Sequence, residues 1–407
     1  MSFTSPRDVY LLAGARGVSL FGDLLATTAL VLALQERGAG GSAIAAVFIA
    51  AVLPEVVFVA VAARIVDRLD SRLLLTATGL VQAAACAAMA FTNGTWTLIG
   101  LVAVLGAGLA ITAPTFSALL PEMAGPAALG RAMAIGHTAN TLGSLAGPAL
   151  AGLLVGGFGL RVPLLIDAAT YLAVVAAGLL FRTHRKGAAG TPPKGRLRGD
   201  RLLMTTIGLL AALVLTLNIN VVVAVFYIRG PLGGSATEYG LVDAAWLAGM
   251  LAGAWLATSI RGDDARLARI LAAVFTGTAI VVLSSGFVQK PWQLYFLWLL
   301  GGALNGVDNT VLGVLAARRV PEAVRGAFYA RFGAIINGAN LIGYAAGGAL
   351  IGHFEPRAIV IGCGVAGVAA AVVFAVPLLN AASAVASSPP GTSSPRSPSP
   401  ASSGSGP

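Results

Sequence analysis

The sequence predicts an all-α membrane protein of twelve transmembrane helices, arranged as two parallel six-helix repeats with both termini cytoplasmic. Three observations predict it. Apolar residues make up 57% of the 407 residues and charged residues only 10%. The basic residues gather in alternate gaps between apolar runs. One stretch of the chain recurs 200 residues later in the same orientation.

Soluble domains carry about 25% charged residues. A chain this long with so few charges, and a mean hydropathy of +0.86, could not cover its own surface in water. A bilayer removes the conflict, because the lipid-facing surface must be apolar. The 52 glycines fit as well, since small residues let membrane helices approach closely. The net charge of +10 sits in short gaps between apolar runs rather than on one polar face, so nucleic acid is not an expected partner. The partner this composition implies is the lipid bilayer, and membrane bundles of this kind are expected to be monomers. Cys86 and Cys363 both lie inside apolar runs. They form neither a metal-ligand spacing nor a disulfide framework, and no cofactor or metal is expected.

A helix rises about 1.5 Å per residue, so about 20 apolar residues cross the hydrocarbon core. Crossings are expected at about 9–34, 42–63, 72–92, 96–119, 131–157, 162–181, 202–228, 236–259, 267–288, 292–316, 327–352 and 357–379. The first run is too long for a signal-peptide core and is expected to stay as a membrane helix. With the N-terminus inside, the outer loops hold only Arg37, Arg161, Arg229, Lys290 and Arg357. The inner loops hold 18, among them Arg64, Arg68, Arg72, Arg131, Arg261, Arg318 and Arg319. This is the asymmetry of the positive-inside rule, and a miscounted helix would have blurred it downstream. Trp96 and Trp292 open the fourth and tenth runs on the outer side, where aromatic belts form.

The chain therefore divides into 1–181, a first six-helix bundle; 182–201, a basic cytoplasmic linker with Pro192 and Pro193; 202–380, a second bundle; and 381–407, a Ser/Pro tail expected to be disordered. Aligned without gaps, 121–152 and 321–352 are identical at 14 of 32 positions, including Pro121/Pro321, Glu122/Glu322, Arg131/Arg331, Asn140/Asn340, Gly143/Gly343 and Gly147/Gly347. The offset spans six crossings, an even number, so the copies face the same way. Parallel six-helix halves with a site near midplane between them define a class of secondary transporters.

Two motifs sharpen this. Between the second and third runs stands Ala63-Arg64-Ile65-Val66-Asp67-Arg68-Leu69-Asp70-Ser71-Arg72. It resembles the G-x-x-x-D-R-x-G-R-R/K pattern of the major facilitator superfamily. Asp67, Arg68 and Arg72 match; Ala63 and Asp70 replace the two glycines, and Ser71 a basic residue. Together with Arg64 they read as an inner-gate charge latch across the two halves. On the fifth run, Gly143-Ser144-Leu145-Ala146-Gly147-Pro148-Ala149-Leu150-Ala151-Gly152 resembles the superfamily's antiporter motif, with Ala151 for one glycine. Gly143 and Gly147 share a face for close packing, and Pro148 removes one backbone hydrogen bond. In the family this motif marks exporters more often than importers. The eleventh run repeats the glycines but has Gly348 in the proline's place. Arg16-Gly17-Val18-Ser19-Leu20-Phe21-Gly22-Asp23 on the first run is similar to the branch of macrolide-efflux and siderophore-export proteins. The resemblance covers nearly the whole chain except the tail.

Ionisable groups inside a membrane are costly and point to function. Asp23 is expected to take and release the coupling proton, with Arg16 two turns away on the same face and Glu55, after Pro54, as a second proton carrier. Asp243, Asp308, Asn218 and Asn220 are further proton or substrate candidates, as are Asn140 and Asn340, which both copies of the repeat hold. Asn305, Asn309 and Asn337 read as helix–helix glue, Asp167 as a pin for the sixth helix, and His137 as a weaker proton candidate. Gly362–Gly367 spells G-x-G-x-x-G but lies inside an apolar run rather than after a strand, so it is no dinucleotide fingerprint. No phosphate-binding loop and no nucleophile–base pairing stands in the sequence, so an enzyme is not expected. The expected function is proton-coupled efflux of small organic molecules (a drug, an antibiotic or a siderophore). The alternatives are an importer on the same fold, or a non-transporting membrane sensor or lipid scramblase. Abundant Arg, Ala and Gly with scarce Lys point to a GC-rich bacterial genome and its cytoplasmic membrane.

Overall fold

The structure is a computed structural model that describes residues 5–125, 128–181, 201–321 and 324–386. The expected linker and most of the tail lie outside the described residues. Twelve helices follow in order: α1 Pro6–Glu36, α2 Gly41–Arg68, α3 Ser71–Phe91, α4 Thr95–Ala124, α5 Leu129–Phe158, α6 Arg161–Leu180, α7 Arg201–Arg229, α8 Ala236–Ala257, α9 Asp264–Ser285, α10 Pro291–Arg319, α11 Arg325–Ile351 and α12 Pro356–Ala386. All twelve contain a stretch long and apolar enough to cross a membrane.

Several helices overrun the expected crossings. The 30 residues of α4 amount to about 45 Å, against about 30 Å of hydrocarbon. The excess is polar or proline-bearing sequence such as Pro121, which an apolar count leaves out. Likewise α12 continues to Ala386, past the expected start of the tail at 381. Helix ends follow local chemistry. Asp70 caps α3 by accepting the Arg72 N–H at 2.8 Å, and Asp263 caps α9 by accepting the Arg266 N–H at 3.0 Å. Ser235 and Glu238 form a capping box on α8. Gly125 and Gly159, both at φ +70°, end α4 and α5.

Packing repeats between the halves. In the first, α1 packs on α5 and α6, α3 on α4 and α6, and α2 on α4. In the second, α7 packs on α11 and α12, α9 on α10 and α12, and α8 on α10. Every pair maps onto its counterpart by adding six. The halves meet chiefly through α2 with α11 and α5 with α8, themselves equivalent under the same exchange. The tightest crossing is α8 on α10. A Cβ on Gly253 would stand 1.8 Å from the Ala303 carbonyl oxygen, and one on Gly306 2.0 Å from that of Met250.

The cross-half contacts cluster at the end opposite the basic loops. A Cβ on Gly152 of α5 would meet the Ala236 carbonyl oxygen of α8 at 2.4 Å, and one on Gly348 of α11 the Cβ of Ala45 on α2 at 2.5 Å. Phe48 stacks on Tyr344 with centroids 5.1 Å apart. Arg229 pairs with Glu36 at 2.8 Å and donates to Gln35 at 3.3 Å. One apolar core here joins both halves, including Leu25–Leu34, Ile44, Val47 and Val222–Ile228. At the basic end the core splits in two. Leu12, Phe116, Leu119 and Val174 belong to the first half; Leu203, Ile207, Phe275 and Leu315 belong to the second. Among the described residues, the molecule is sealed at the far end and parted at the basic end.

Candidate functional site

Between the halves lies a cavity of about 490 Å³. Its walls come from α1 (Leu24, Thr27, Thr28, Val31), α2 (Phe48), α5 (Pro148), α7 (Val214, Asn218, Asn220), α8 (Tyr239, Asp243, Trp246), α9 (Val282, Ser285), α10 (Trp298, Asn305, Asn309) and α11 (Phe332, Ile336, Asn340). Trp246 and Trp298 meet edge to face, with centroids 5.7 Å apart. Asn218 donates to Asn340 at 3.0 Å and to the Val214 carbonyl at 2.7 Å, and Asn340 donates to Asn337 at 3.4 Å. Asn309 donates to the Asn305 carbonyl at 2.8 Å. The wall is thus apolar and aromatic, with a band of amides and one carboxylate, that of Asp243. Pockets for small organic ligands have this make-up.

Of the expected candidates, Asp243, Asn218, Asn220 and Asn340 line this cavity. Asn340 serves as a wall amide, while its repeat partner Asn140 does not line the cavity and keeps a buried Oδ1 with no partner among the described residues. Asp308 is 1% exposed and lies behind Asn305, which donates to it at 3.3 Å. His137 is exposed on α5.

Asp23 faces elsewhere. It borders a separate cavity of about 50 Å³ inside the first half, walled by Ala51, Met89, Val102, Leu105, Leu109 and Leu164 among others. Thr27, one turn along α1, borders both cavities. The Tyr171 hydroxyl donates to Asp23 Oδ1; Oδ2 is buried without a partner. Arg16 does not pair with Asp23. Its guanidinium lies 5.6 Å from the Phe116 ring centroid, with Nη1 buried and unpartnered. Glu55 is half-buried on α2, within electrostatic reach of both Arg16 and Asp23.

The sequence reading underrated α6. Asp167, expected as a helix pin, is 0% exposed. Its carboxyl accepts from the Cys86 thiol at 3.1 Å and lies 3.0 Å from the Thr170 hydroxyl, which also donates to the Asp167 backbone carbonyl at 2.8 Å. Asp167 and Tyr171 stand four apart, one above the other on the helix, and that spacing was the available signal. Trp246 and Trp298 were missed too, because nothing in either run singles out the tryptophan that turns inward.

Among the described residues, the inner-gate charges form no ion pair across the two halves in this conformation. Arg64 and Arg68 are exposed and Asp67 is half-buried. Among the described residues Asp67 makes no ion pair or side-chain hydrogen bond. Arg72 instead donates to the Leu179 carbonyl of α6, within its own half. The reason is the parting of the basic end. Asp70, which departs from the family pattern, is the cap of α3. The helix-five motif lies at two junctions. A Cβ on Gly143 would stand 2.1 Å from the Gly17 carbonyl oxygen of α1, and one on Gly147 2.8 Å from that of Phe21. Gly152 meets α8, and the Pro148 carbonyl oxygen would stand 2.3 Å from a Cβ on Gly240 of α8.

Comparison with known proteins agrees with this architecture. The family description "Major Facilitator Superfamily" matches residues 12–216 and again 204–403. The chain is similar to the multidrug resistance protein MdtG of Dickeya zeae, 26% identical over 309 residues, covering 73% of this chain and 74% of that one. It is also similar to the multi-drug resistance efflux pump PmrA homolog of Lactococcus lactis, 26% identical over 314 residues, covering 74% and 76%. Among solved structures, the nucleoside transporter NupG (a D323A mutant) superposes with a TM-score of 0.69 at 14% identity, covering 91% of this chain and 98% of that one. Twelve apolar helices, two six-helix halves around a central cavity and a family match over both halves establish that the chain belongs to the Major Facilitator Superfamily and is a multi-pass transporter of a bacterial inner membrane.

Proposed function

We propose that the protein exports small amphipathic organic molecules in exchange for protons, by rocking of the two bundles about the α2–α11 and α5–α8 contacts. The carrying observation is the central cavity. Its aromatic and apolar walls suit a hydrophobic body, and Asp243 suits a cationic or hydrogen-bond-donating group. The basic end faces the cytoplasm on the positive-inside rule, so the parted end admits substrate from inside. The names of the relatives, multidrug resistance and efflux proteins, support export. Asp23 carries the proton: it is buried, it borders its own small cavity, and Thr27 connects that cavity to the substrate site. Proton and substrate therefore occupy neighbouring places rather than competing for one carboxylate. The residues around Asp67 form the inner latch in the opposite conformation, when the basic end closes.

The direction is tested in everted membrane vesicles from cells overproducing the protein. With the interior acidified, an exporter accumulates a fluorescent amphipathic cation above the level in vesicles lacking the protein. Accumulation only in right-side-out vesicles would make the protein an importer.

A further inference from the structure

Asp167 has no place in the function proposed above, yet it is among the most deeply buried ionisable groups in the chain, 0% exposed. Its surroundings are unusual in two ways. It lies against α1 at Gly22, the residue before Asp23, where a Cβ would stand 2.2 Å from Asp167 Oδ1 and 2.3 Å from Thr170 Oγ1, and it is within electrostatic reach of Asp23. Each of its oxygens has a donor within reach: the Cys86 thiol of α3 donates to Oδ2, and the single Thr170 hydroxyl hydrogen is shared between Oδ1 at 3.0 Å and the Asp167 backbone carbonyl at 2.8 Å. Asp23 is the reverse. One oxygen takes the Tyr171 hydroxyl and the other is buried bare.

We infer that Asp23 and Asp167 form a two-carboxylate site on α1 and α6 that holds a single exchangeable proton, with Asp167 the charged member and Asp23 the protonated one in this conformation. The inference rests on the reading of Asp23 as the coupling acid and deepens it. Two desolvated carboxylates within electrostatic reach of each other repel, and protonating one of them relieves that cost. Hydrogen bonds decide its place. A carboxylate with a donor on each oxygen is the better anion. The bare Oδ2 of Asp23 has room for a hydrogen, and it is Asp23 that borders the small cavity. The other ionisable groups facing the pair are few. Arg16 lies on α1, Glu55 on α2, Cys86 on α3 and Tyr171 on α6. The part of α4 that borders the small cavity contributes only Val102, Leu105, Gly106 and Leu109, and α5 meets this stretch of α1 through Gly143 and Gly147. When the proton leaves Asp23 for water, both carboxylates are charged, and their repulsion drives α1 and α6 apart unless a new proton or a rearrangement relieves it. Binding one proton thus couples to the packing of α1 on α6.

The test uses purified full-length protein and the variants Asp167→Asn, Tyr171→Phe and Asp23→Asn, each checked for monodispersity and thermal unfolding. Two readouts are taken. Infrared difference spectra over a pH series follow the carbonyl stretch of a protonated carboxyl. Counterflow of a transported dye in liposomes follows the pH midpoint of exchange. In wild type a carboxyl band titrates that Asp23→Asn removes. Asp167→Asn retains an amide oxygen to accept from Cys86, and should move the band and the exchange midpoint to lower pH by about one unit or more. Tyr171→Phe moves both the other way. A midpoint and band unchanged in Asp167→Asn would overturn the shared site and leave Asp167 a structural pin. The infrared series needs no transport, so a titrating pair in a protein that moves no protons would uphold the site and sink the coupling reading instead. If Asp167→Asn fails to fold, Tyr171→Phe decides: no shift in either readout would overturn the proposal.

Discussion

At the residue scale the structure separates two tasks that the sequence could only gather under one heading. Buried polar groups in a membrane are expensive, and that cost is what singles out the candidate carboxylates in the sequence. Cost does not say which cavity a side chain faces. Asp243 and Asp23 are equally plain in the sequence, yet one lines the space between the bundles and the other a chamber within the first bundle. Their substitutions should differ accordingly. Asp243→Asn should weaken binding of a cationic substrate by about tenfold, the value of a charge-assisted contact of about 1.5 kcal/mol, and leave uncharged substrates bound as before. Isothermal titration with a cationic and a neutral ligand of similar shape checks this. Trp246→Ala should weaken both ligands, since it removes apolar surface as well as a π-face. The Asp23–Tyr171–Asp167–Cys86 group was not legible, because its members come from three helices far apart in the chain and no periodicity links them. Only the i, i+4 spacing of Asp167 and Tyr171 was visible.

At the element scale the helices were legible because the bilayer sets their length and the loops their charge. Their ends were less so. Amphipolar turns beyond the hydrocarbon continue the helix where no breaker intervenes, as at the end of α4. Partner choice was the least legible. The glycines of α8 and α10 stand at four-residue spacing, Gly249/Gly253 and Gly302/Gly306, which signals close packing without naming the partner. In the structure the glycines of each helix face the backbone of the other, Gly253 against Ala303 and Gly306 against Met250. Filling that crossing should be costly, because the atom a Cβ would strike is backbone. Gly253→Ala should lower stability by about 1–3 kcal/mol, as overpacking does, whereas Gly130→Ala on α5, which meets open space, should change it little. Thermal unfolding in detergent, read side by side, distinguishes the two.

At the scale of the whole molecule, the repeat seen in 121–152 and 321–352 becomes a physical equivalence: α5 and α11 each pack on the first helix of their own half and on a helix of the other. The two copies are not alike in detail, with Pro148 at one junction and Gly348 at the other. The far end is closed by glycine contacts and by the Glu36–Arg229 pair. An exposed pair contributes about 0–1 kcal/mol, so Arg229→Gln should shift the balance of access states only slightly. Gly152→Leu, which sets a side chain against the α8 backbone, should open the far end much more. Paired spin labels across each end of the molecule, in wild type and the two variants, would report this as a lengthened far-end distance and a shortened basic-end distance for Gly152→Leu.

The central claim is that substrate movement through this cavity is tied to a proton on Asp23. It is tested most directly in liposomes holding the purified protein and an internal pH dye, challenged with a panel of amphipathic antibiotics and dyes, with Asp23→Asn beside wild type. The account predicts substrate-dependent proton movement in wild type that is lost in Asp23→Asn, while the variant still binds substrate. Equal proton movement in both would contradict it and send the coupling site elsewhere, to Glu55 first.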